Sequence, residues 1–130
     1  TIPARIITGT TVTTLNGPRG IWLDSANDRL YVAVADNAID HIAVYNNAST
    51  ADGSIAPARI ISSATGTLNA PTGIWLDSAS DQLYVACELS DNVVVYANAS
   101  TANGDTTPAR IGGIDMAKLC MLWFIPSISP

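Results

Sequence analysis

Apolar residues along the chain fall in short runs of four to seven, and no stretch shows the sustained 3.6-residue period of an amphipathic helix. The runs are rich in Val, Ile, Tyr and Trp, which fit the pleated and packed surface of a strand. Turn-forming residues separate the runs at 25–28, 51–53 and 102–104. The pattern therefore predicts an all-β fold.

The runs recur as a tandem repeat. The heptapeptide Pro-Arg-Gly-Ile-Trp-Leu-Asp around Trp22 returns as Pro-Thr-Gly-Ile-Trp-Leu-Asp around Trp75. Leu-Tyr-Val-Ala and Asn-Ala-Ser-Thr-Ala also occur once in each copy, and Pro-Ala-Arg-Ile occurs three times. The Pro-Ala-Arg-Ile motifs begin at Pro3, Pro57 and Pro108. Two full copies of one structural unit are thus predicted, with part of another before them.

Each copy predicts four strands, named a to d here. In the first copy they are Gly20–Asp24, Arg29–Val34, His41–Tyr45 and Ala58–Ile61. In the second copy they are Gly73–Asp77, Gln82–Cys87, Asn92–Tyr96 and Ala109–Ile111, and a spare strand d is predicted at Ala4–Ile7. Four strands in about 50 residues are typical of a β-propeller blade. A two-layer sandwich would also accommodate the strands, but it rarely repeats one four-strand unit so faithfully.

The order Pro-x-Gly-Ile-x-Leu-Asp, Leu-Tyr-Val-Ala, a Val-Tyr strand and a Pro-Ala-Arg-Ile strand resembles the NHL-type repeat of bacterial surface and secreted proteins. It is also similar to the blades of lactonase-like propellers. The resemblance covers residues 3–111 and implies a propeller without implying one function, because such propellers have many roles. Family members usually carry six or more blades in one chain, whereas this sequence has two.

The predicted architecture is a β-propeller with two four-stranded antiparallel blades per chain. A spare outer strand is expected at residues 1–8, the blades at 9–61 and 62–112, and a divergent apolar tail at 113–130. Along strand a, Trp22 and Trp75 are predicted to pack between blades. Two blades alone would expose large apolar faces, so we expect a homo-oligomer, favouring a trimer with six blades. The alternative is that the residues belong to a longer propeller chain that supplies the other blades.

The d–a and b–c loops of a propeller share one face, which is the expected binding face. The candidate residues on it are Asn16, Arg19, Asp36, Asn37, Asn69, Glu88 and Asp91. Asp36, Glu88 and Asp91 are also candidate metal ligands, and Ca²⁺ is the ion that carboxylates of this kind would hold. No EF-hand loop is present, and solvated turn residues are the competing interpretation.

Net charge and residue content make several classes of function less suitable for this chain. A net charge of −5 and scattered arginines disfavour nucleic-acid binding. His41 is the only histidine, and the sequence has neither a Ser-His-Asp pattern nor a phosphate loop, which disfavours an enzyme. The apolar run at 119–126 is too short to span a bilayer. Two cysteines, Cys87 and Cys120, are too few for a disulfide framework, although they allow one bridge.

The sequence therefore favours a non-enzymatic binding or scaffold module that assembles into a multi-bladed ring. The weakly charged surface, rich in Ser, Thr and Asn, favours an extracellular or cell-surface setting, and no cofactor is predicted. Three alternatives stay open. They are a carbohydrate-binding propeller in which the tryptophans contact sugar, a metal-dependent lactonase- or lyase-type enzyme, and a fragment whose tail arose by a frameshift or gene fusion.

Overall fold

A computed structural model describes residues 1–9, 15–36, 39–63 and 66–113. These residues form eleven strands and no helix, so the predicted all-β fold is confirmed. The strands are β1 (Ile7–Thr8), β2 (Pro18–Asp24), β3 (Arg29–Val34), β4 (His41–Asn46), β5 (Gly53–Ser54), β6 (Arg59–Ser62), β7 (Pro71–Asp77), β8 (Gln82–Cys87), β9 (Asn92–Ala97), β10 (Gly104–Asp105) and β11 (Arg110–Gly113). The divergent tail predicted from residue 113 onward lies almost entirely outside the described residues. Nothing in the described part of the chain is a helix long and apolar enough to cross a membrane.

The first repeat forms an antiparallel sheet in the order β6-β4-β3-β2, called sheet 1 below. The second repeat forms the equivalent sheet 2 in the order β11-β9-β8-β7. The sequence predicted these eight strands, and the structure moves their ends by at most two residues. Strand order therefore follows chain order within each repeat, which is what short turns between successive strands produce.

Two short parallel pairings, which the sequence did not predict, complete the topology. Strand β10 lies in the loop between β9 and β11, yet it joins the edge of sheet 1 beside β6. The equivalent β5 pairs in the same way with β1. The predicted spare strand at Ala4–Ile7 is thus shorter and later than expected, since only Ile7–Thr8 make ladder contacts. The c–d loop of one repeat consequently extends the sheet that precedes it.

The turn between strands a and b is tied to the c–d loop in each repeat. Asp28 and Asp81 hold left-handed backbone, with φ of 53° and 55°, a conformation that short polar residues tolerate. The Asp28 carboxylate accepts bonds from the Ser49 amide at 2.8 Å and the Ser49 hydroxyl at 2.7 Å. Asp81 accepts the same two bonds from Ser100, at 2.9 and 2.6 Å. The same pair of hydrogen bonds therefore joins the a–b turn to the c–d loop in both repeats.

The main hydrophobic core lies between the two sheets. Sheet 1 contributes side chains that include Tyr31, Val44 and Ile61, and sheet 2 contributes side chains that include Val85 and Tyr96. A smaller core lies on the other face of sheet 1, where Val32, Val34, Ala43 and Tyr45 pack with Ile7, Leu15, Leu30 and Ile55. This face of sheet 1 is equivalent to the face of sheet 2 that contacts sheet 1, and Ile7 of β1 is among the residues that cover part of it.

Candidate functional site

The contact between sheets 1 and 2 is built from strand a of each repeat. Ile74 and Leu76 of β7 are 2% and 6% exposed, and both belong to the core between the sheets. Trp22 of β2 packs against that core, and its ring centroid lies 4.2 Å from that of Trp75 with the planes tilted by 50°. Alternation along a strand sends these side chains to opposite faces. One face of each strand a is thus suited to a preceding sheet and the other to a following sheet.

The equivalent apolar positions at the two ends of the molecule are exposed. Ile21 and Leu23 of β2 are 65% and 54% exposed, although they hold the places of the buried Ile74 and Leu76. At the other end, Trp75 is 47% exposed, whereas Trp22 is partly buried by sheet 2. The side chains are the same in both copies, so the difference comes from the presence or absence of a sheet in front of them.

Backbone contact at the junction depends on a glycine. A Cβ atom at Gly20 would lie 2.1 Å from the Thr72 carbonyl oxygen, closer than any real side chain allows. The equivalent Gly73 has open space, because an added Cβ would meet only the Ala86 Cβ, at 3.8 Å. Glycine is therefore required at Gly20 for the two a strands to approach.

Arg59 joins sheet 1 to the c–d loop of the second repeat at the outer part of the junction. Arg59 of β6 donates from Nη1 to the carbonyl oxygens of Ala99 and Ala102, both at 2.8 Å. The next backbone amide, of Ile60, donates to the Asn103 side-chain oxygen at 3.2 Å. Charge-assisted bonds of this type are stronger than neutral ones. We call the Asn-Ala-Ser-Thr-Ala turn that accepts them the arginine-binding turn.

The same contact occurs once more in the chain. Arg5 donates from Nη1 to the carbonyl oxygens of Ala48 and Ala51, at 3.0 and 3.3 Å. The Ile6 amide then donates to the Asp52 carboxylate at 2.9 Å. The first Pro-Ala-Arg-Ile motif is therefore bound to the first arginine-binding turn, as the second motif is bound to the second turn.

The third motif makes different contacts. Arg110 of β11 donates from Nη2 to the Gln82 side-chain oxygen at 3.0 Å and to the Tyr84 hydroxyl at 3.3 Å. Its guanidinium carbon also lies 5.8 Å from the centre of the Tyr84 ring. These partners belong to its own sheet and are exposed to solvent. Within the part of the chain that the structure describes, Arg110 thus lacks the pair of carbonyl oxygens that Arg5 and Arg59 bind.

The turn that binds arginine owes its shape to an asparagine. Asn47 and Asn98 have φ of 53° and 54°, and each carbonyl accepts the amides three and four residues later, all at 3.0 Å. Asparagine tolerates this left-handed backbone better than most residues. The sequence recurrence of the motif and the turn was the available signal for this contact. The sequence alone shows the arginines only as scattered along the chain, because nothing in it pairs a motif with a turn.

Of the residues predicted for a binding face, Arg19 lies near the start of β2, and the other described residues lie in loops at the same end of the two sheets. Arg19 and Glu88 form an ion pair at 3.2 Å that joins the two repeats, with half of each side chain exposed. Asn16 donates to the Asp36 carboxylate at 3.3 Å. Asn69 accepts the Leu89 amide at 3.4 Å through its backbone carbonyl, and Asp91 is exposed with φ of 50°. Asn37 lies outside the described residues.

The metal candidates do not come together as one group. Asp36 is buried beside Asn16 and Glu88 pairs with Arg19, so two of the three carboxylates already have protein partners. Across the described ranges, no three His, Cys, Asp or Glu side chains lie close enough to hold a metal ion. A three-carboxylate site built from Asp36, Glu88 and Asp91 is not formed by these residues.

Two reactive side chains are buried in structural positions. The His41 ring is 4% exposed and donates from Nδ1 to the Ile39 carbonyl at 2.9 Å. Cys87 is a free thiol in the core between the sheets, and burial raises its pKa. A raised pKa keeps the thiol protonated and unreactive. The bridge that two cysteines would allow, from Cys87 to Cys120, involves a residue outside the described part.

No protein-family model and no curated protein matches this chain. The likeness to NHL-type repeats therefore continues to rest on the residues quoted above. The contact between sheets 1 and 2 is the feature of this chain that bears on its function.

Proposed function

We propose that the chain is a non-enzymatic binding or scaffold module whose two sheets are blades of a larger propeller ring, closed by further copies of the chain. One observation carries the proposal. Ile74 and Leu76 are buried against a preceding sheet, while the same residue types at Ile21 and Leu23 are more than half exposed.

A second copy of the chain is the occupant that fits these exposed positions. Repeating the relation between sheets 1 and 2 would bring the Ile21 and Leu23 of one copy onto the Trp75 face of its neighbour. Burial of a whole Ile or Leu side chain contributes about 1.5–3 kcal/mol, so this pair would stabilise the contact by roughly 2–3 kcal/mol per junction. The space at Gly73 would admit the backbone of the next strand a, as the lack of a side chain at Gly20 admits Thr72.

The binding role is assigned to the loops on the side of the sheets that carries Arg19 and Glu88. These side chains join two repeats across the junction, so the loops would be presented at fixed spacing around the ring. Three copies of two blades give six, which is a common propeller size and makes the trimer the favoured assembly. The weakly charged surface favours an extracellular or cell-surface setting for such a module.

Solution mass tests the proposal. Native mass spectrometry of the chain is expected to show a species near three times 13.5 kDa. The variant Ile21→Ser with Leu23→Ser should shift the population to monomer. Ile39→Ser is the matched control, because Ile39 is equally exposed at 63% but lies outside strand a. A wild-type chain that is monomeric at micromolar concentration would overturn the ring.

A further inference from the structure

The chain contains three Pro-Ala-Arg-Ile motifs and two arginine-binding turns. The motif in β6 shows the complete set of contacts: β4 pairs antiparallel on one edge, β10 pairs parallel on the other, and Arg59 is bound by the turn. Neither of the other two motifs has all three of these contacts within the described residues. Strand β1 has the parallel partner and the turn, and strand β11 has, among the described residues, the antiparallel partner alone.

The two incomplete motifs would meet if copies joined as proposed above. Where sheet 2 of one copy meets sheet 1 of the next, one strand d fits between two partners. These partners are β9 of the first copy and β5 of the second. The first copy would bring β11 to that place and the second would bring β1. Only one of them can occupy the place, because β1 and β11 hold equivalent positions in the repeat.

Strand β1 matches the place better than β11. In sheet 1, the residues that end this strand are Ile61, which is fully buried, and Ser62. In β1 the corresponding residues are Ile7 and Thr8, whereas β11 has Gly112 and Gly113. Glycine brings no side chain to the core, and it costs about 0.5–1 kcal/mol more conformational entropy than alanine in a strand.

We propose that β1 of one copy completes sheet 2 of its neighbour, pairing antiparallel with β9 in the place of β11. This inference rests on the ring proposed above. The register follows from β11, where Arg110 faces Val95 and Gly113 faces Asn92. In the exchanged pair, Arg5 would face Val95, Ile7 would face Val93 and Thr8 would face Asn92. Arg5 would keep its bonds to Ala48 and Ala51, so the motif would gain the antiparallel partner that it lacks.

Engineered disulfides in the full chain test which strand occupies the junction. The background is Cys87→Val with Cys120→Ser, since Val34 is the residue that the first repeat has in place of Cys87. In this background, Thr8→Cys with Asn92→Cys reports the exchange, because directly opposed residues of an antiparallel pair are within disulfide reach. Within one copy Thr8 faces Ser54 at the far side of sheet 1, so a bond to residue 92 forms only between copies.

In the competing arrangement, β11 of one copy displaces β1 of the next and pairs with its β5. The variant Ser54→Cys with Gly113→Cys would form a disulfide between copies only in that arrangement. We expect covalent dimers and trimers on a non-reducing gel from the first pair, and less than a tenth as much from the second. Covalent oligomers from the second pair alone would overturn the exchange while leaving the ring intact. A monomeric background protein with no product from either pair would overturn the ring as well.

A third variant, Asn92→Cys with Gly113→Cys, locks β11 onto β9 within one copy. Oxidation of this variant is expected to convert the assembly to monomer, and a reducing agent is expected to restore it. An oxidised, locked protein that keeps the assembled mass would contradict the exchange, because β9 would then be closed to the neighbour's β1.

Discussion

Gly20 and Thr72 are in backbone contact across the junction of the two sheets, such that a methyl group on Gly20 would stand 2.1 Å from the Thr72 carbonyl oxygen. The corresponding residue of the second repeat, Gly73, has no such neighbour. Two glycines at equivalent positions of the repeat therefore differ in whether a side chain would fit there.

Gly20→Ala should separate the sheets and lower the free energy of unfolding by about 2–3 kcal/mol, as overpacking in a core does. Gly73→Ala should change the unfolding free energy of the monomer by less than about 0.5 kcal/mol. Chemical denaturation of the two variants is the measurement. In the proposed ring, however, Gly73→Ala should also abolish assembly, and a folded Gly73→Ala that keeps the oligomeric mass would count against the ring.

Arg59 and Arg110 should contribute unequally to stability. Arg59→Ala removes two bonds from a charged donor to buried or half-buried carbonyl oxygens, so we expect a loss of about 2 kcal/mol. Arg110→Ala removes exposed contacts and should cost less than about 0.5 kcal/mol. Urea unfolding at low protein concentration compares them, and equal losses would contradict the assignment of Arg59 as the tie between sheets.

The strand a isoleucines form a matched pair for packing. Ile74→Ala creates a cavity in the core between the sheets and should destabilise the fold by about 2–4 kcal/mol. Ile21→Ala changes an exposed side chain, so the monomer should lose less than about 0.5 kcal/mol. Thermal and chemical unfolding measure both. A large monomer loss for Ile21→Ala would mean that the residue already packs within one copy.

Alkaline pH should weaken the fold through a buried tyrosine. Burial raises the pKa of Tyr96 to about 12, and the ordinary value is about 10. The folded state then holds the Tyr96 hydroxyl proton more tightly than the unfolded state. The stability that this gives to the fold is therefore fully present below pH 10. It declines between pH 10 and 12, with a total loss on the order of 2 kcal/mol.

Tyr96→Phe removes this contribution and should flatten the dependence of unfolding free energy on pH above 10. Below pH 9, its pH dependence should match that of the wild type. Burial also raises the pKa of Tyr45, so some alkaline loss should persist in the variant. A variant that loses stability between pH 10 and 12 as steeply as the wild type would contradict the assignment.

The sequence by itself determined the strands, because each strand depends on a short run of neighbouring residues and the same runs occur in both repeats. Val- and Tyr-rich runs between turn residues predicted the eight main strands, and the recurrence of Trp22 as Trp75 predicted that two equivalent sheets form. Pleating then required that Trp22 and its neighbours Ile21 and Leu23 point to opposite faces.

Only the tertiary structure decided which equivalent residues share an environment. Ile21 and Ile74 have the same neighbours in sequence, but one is exposed and the other is buried, because a sheet lies in front of only one of them. Arg5, Arg59 and Arg110 occur in the same motif, yet Arg59 binds a turn across the junction, Arg5 binds the equivalent turn of the first repeat, and Arg110 binds side chains of its own sheet. The contacts of Arg5 and Arg59 join residues at least 40 positions apart, and their occurrence depends on which sheets meet, which no local pattern specifies.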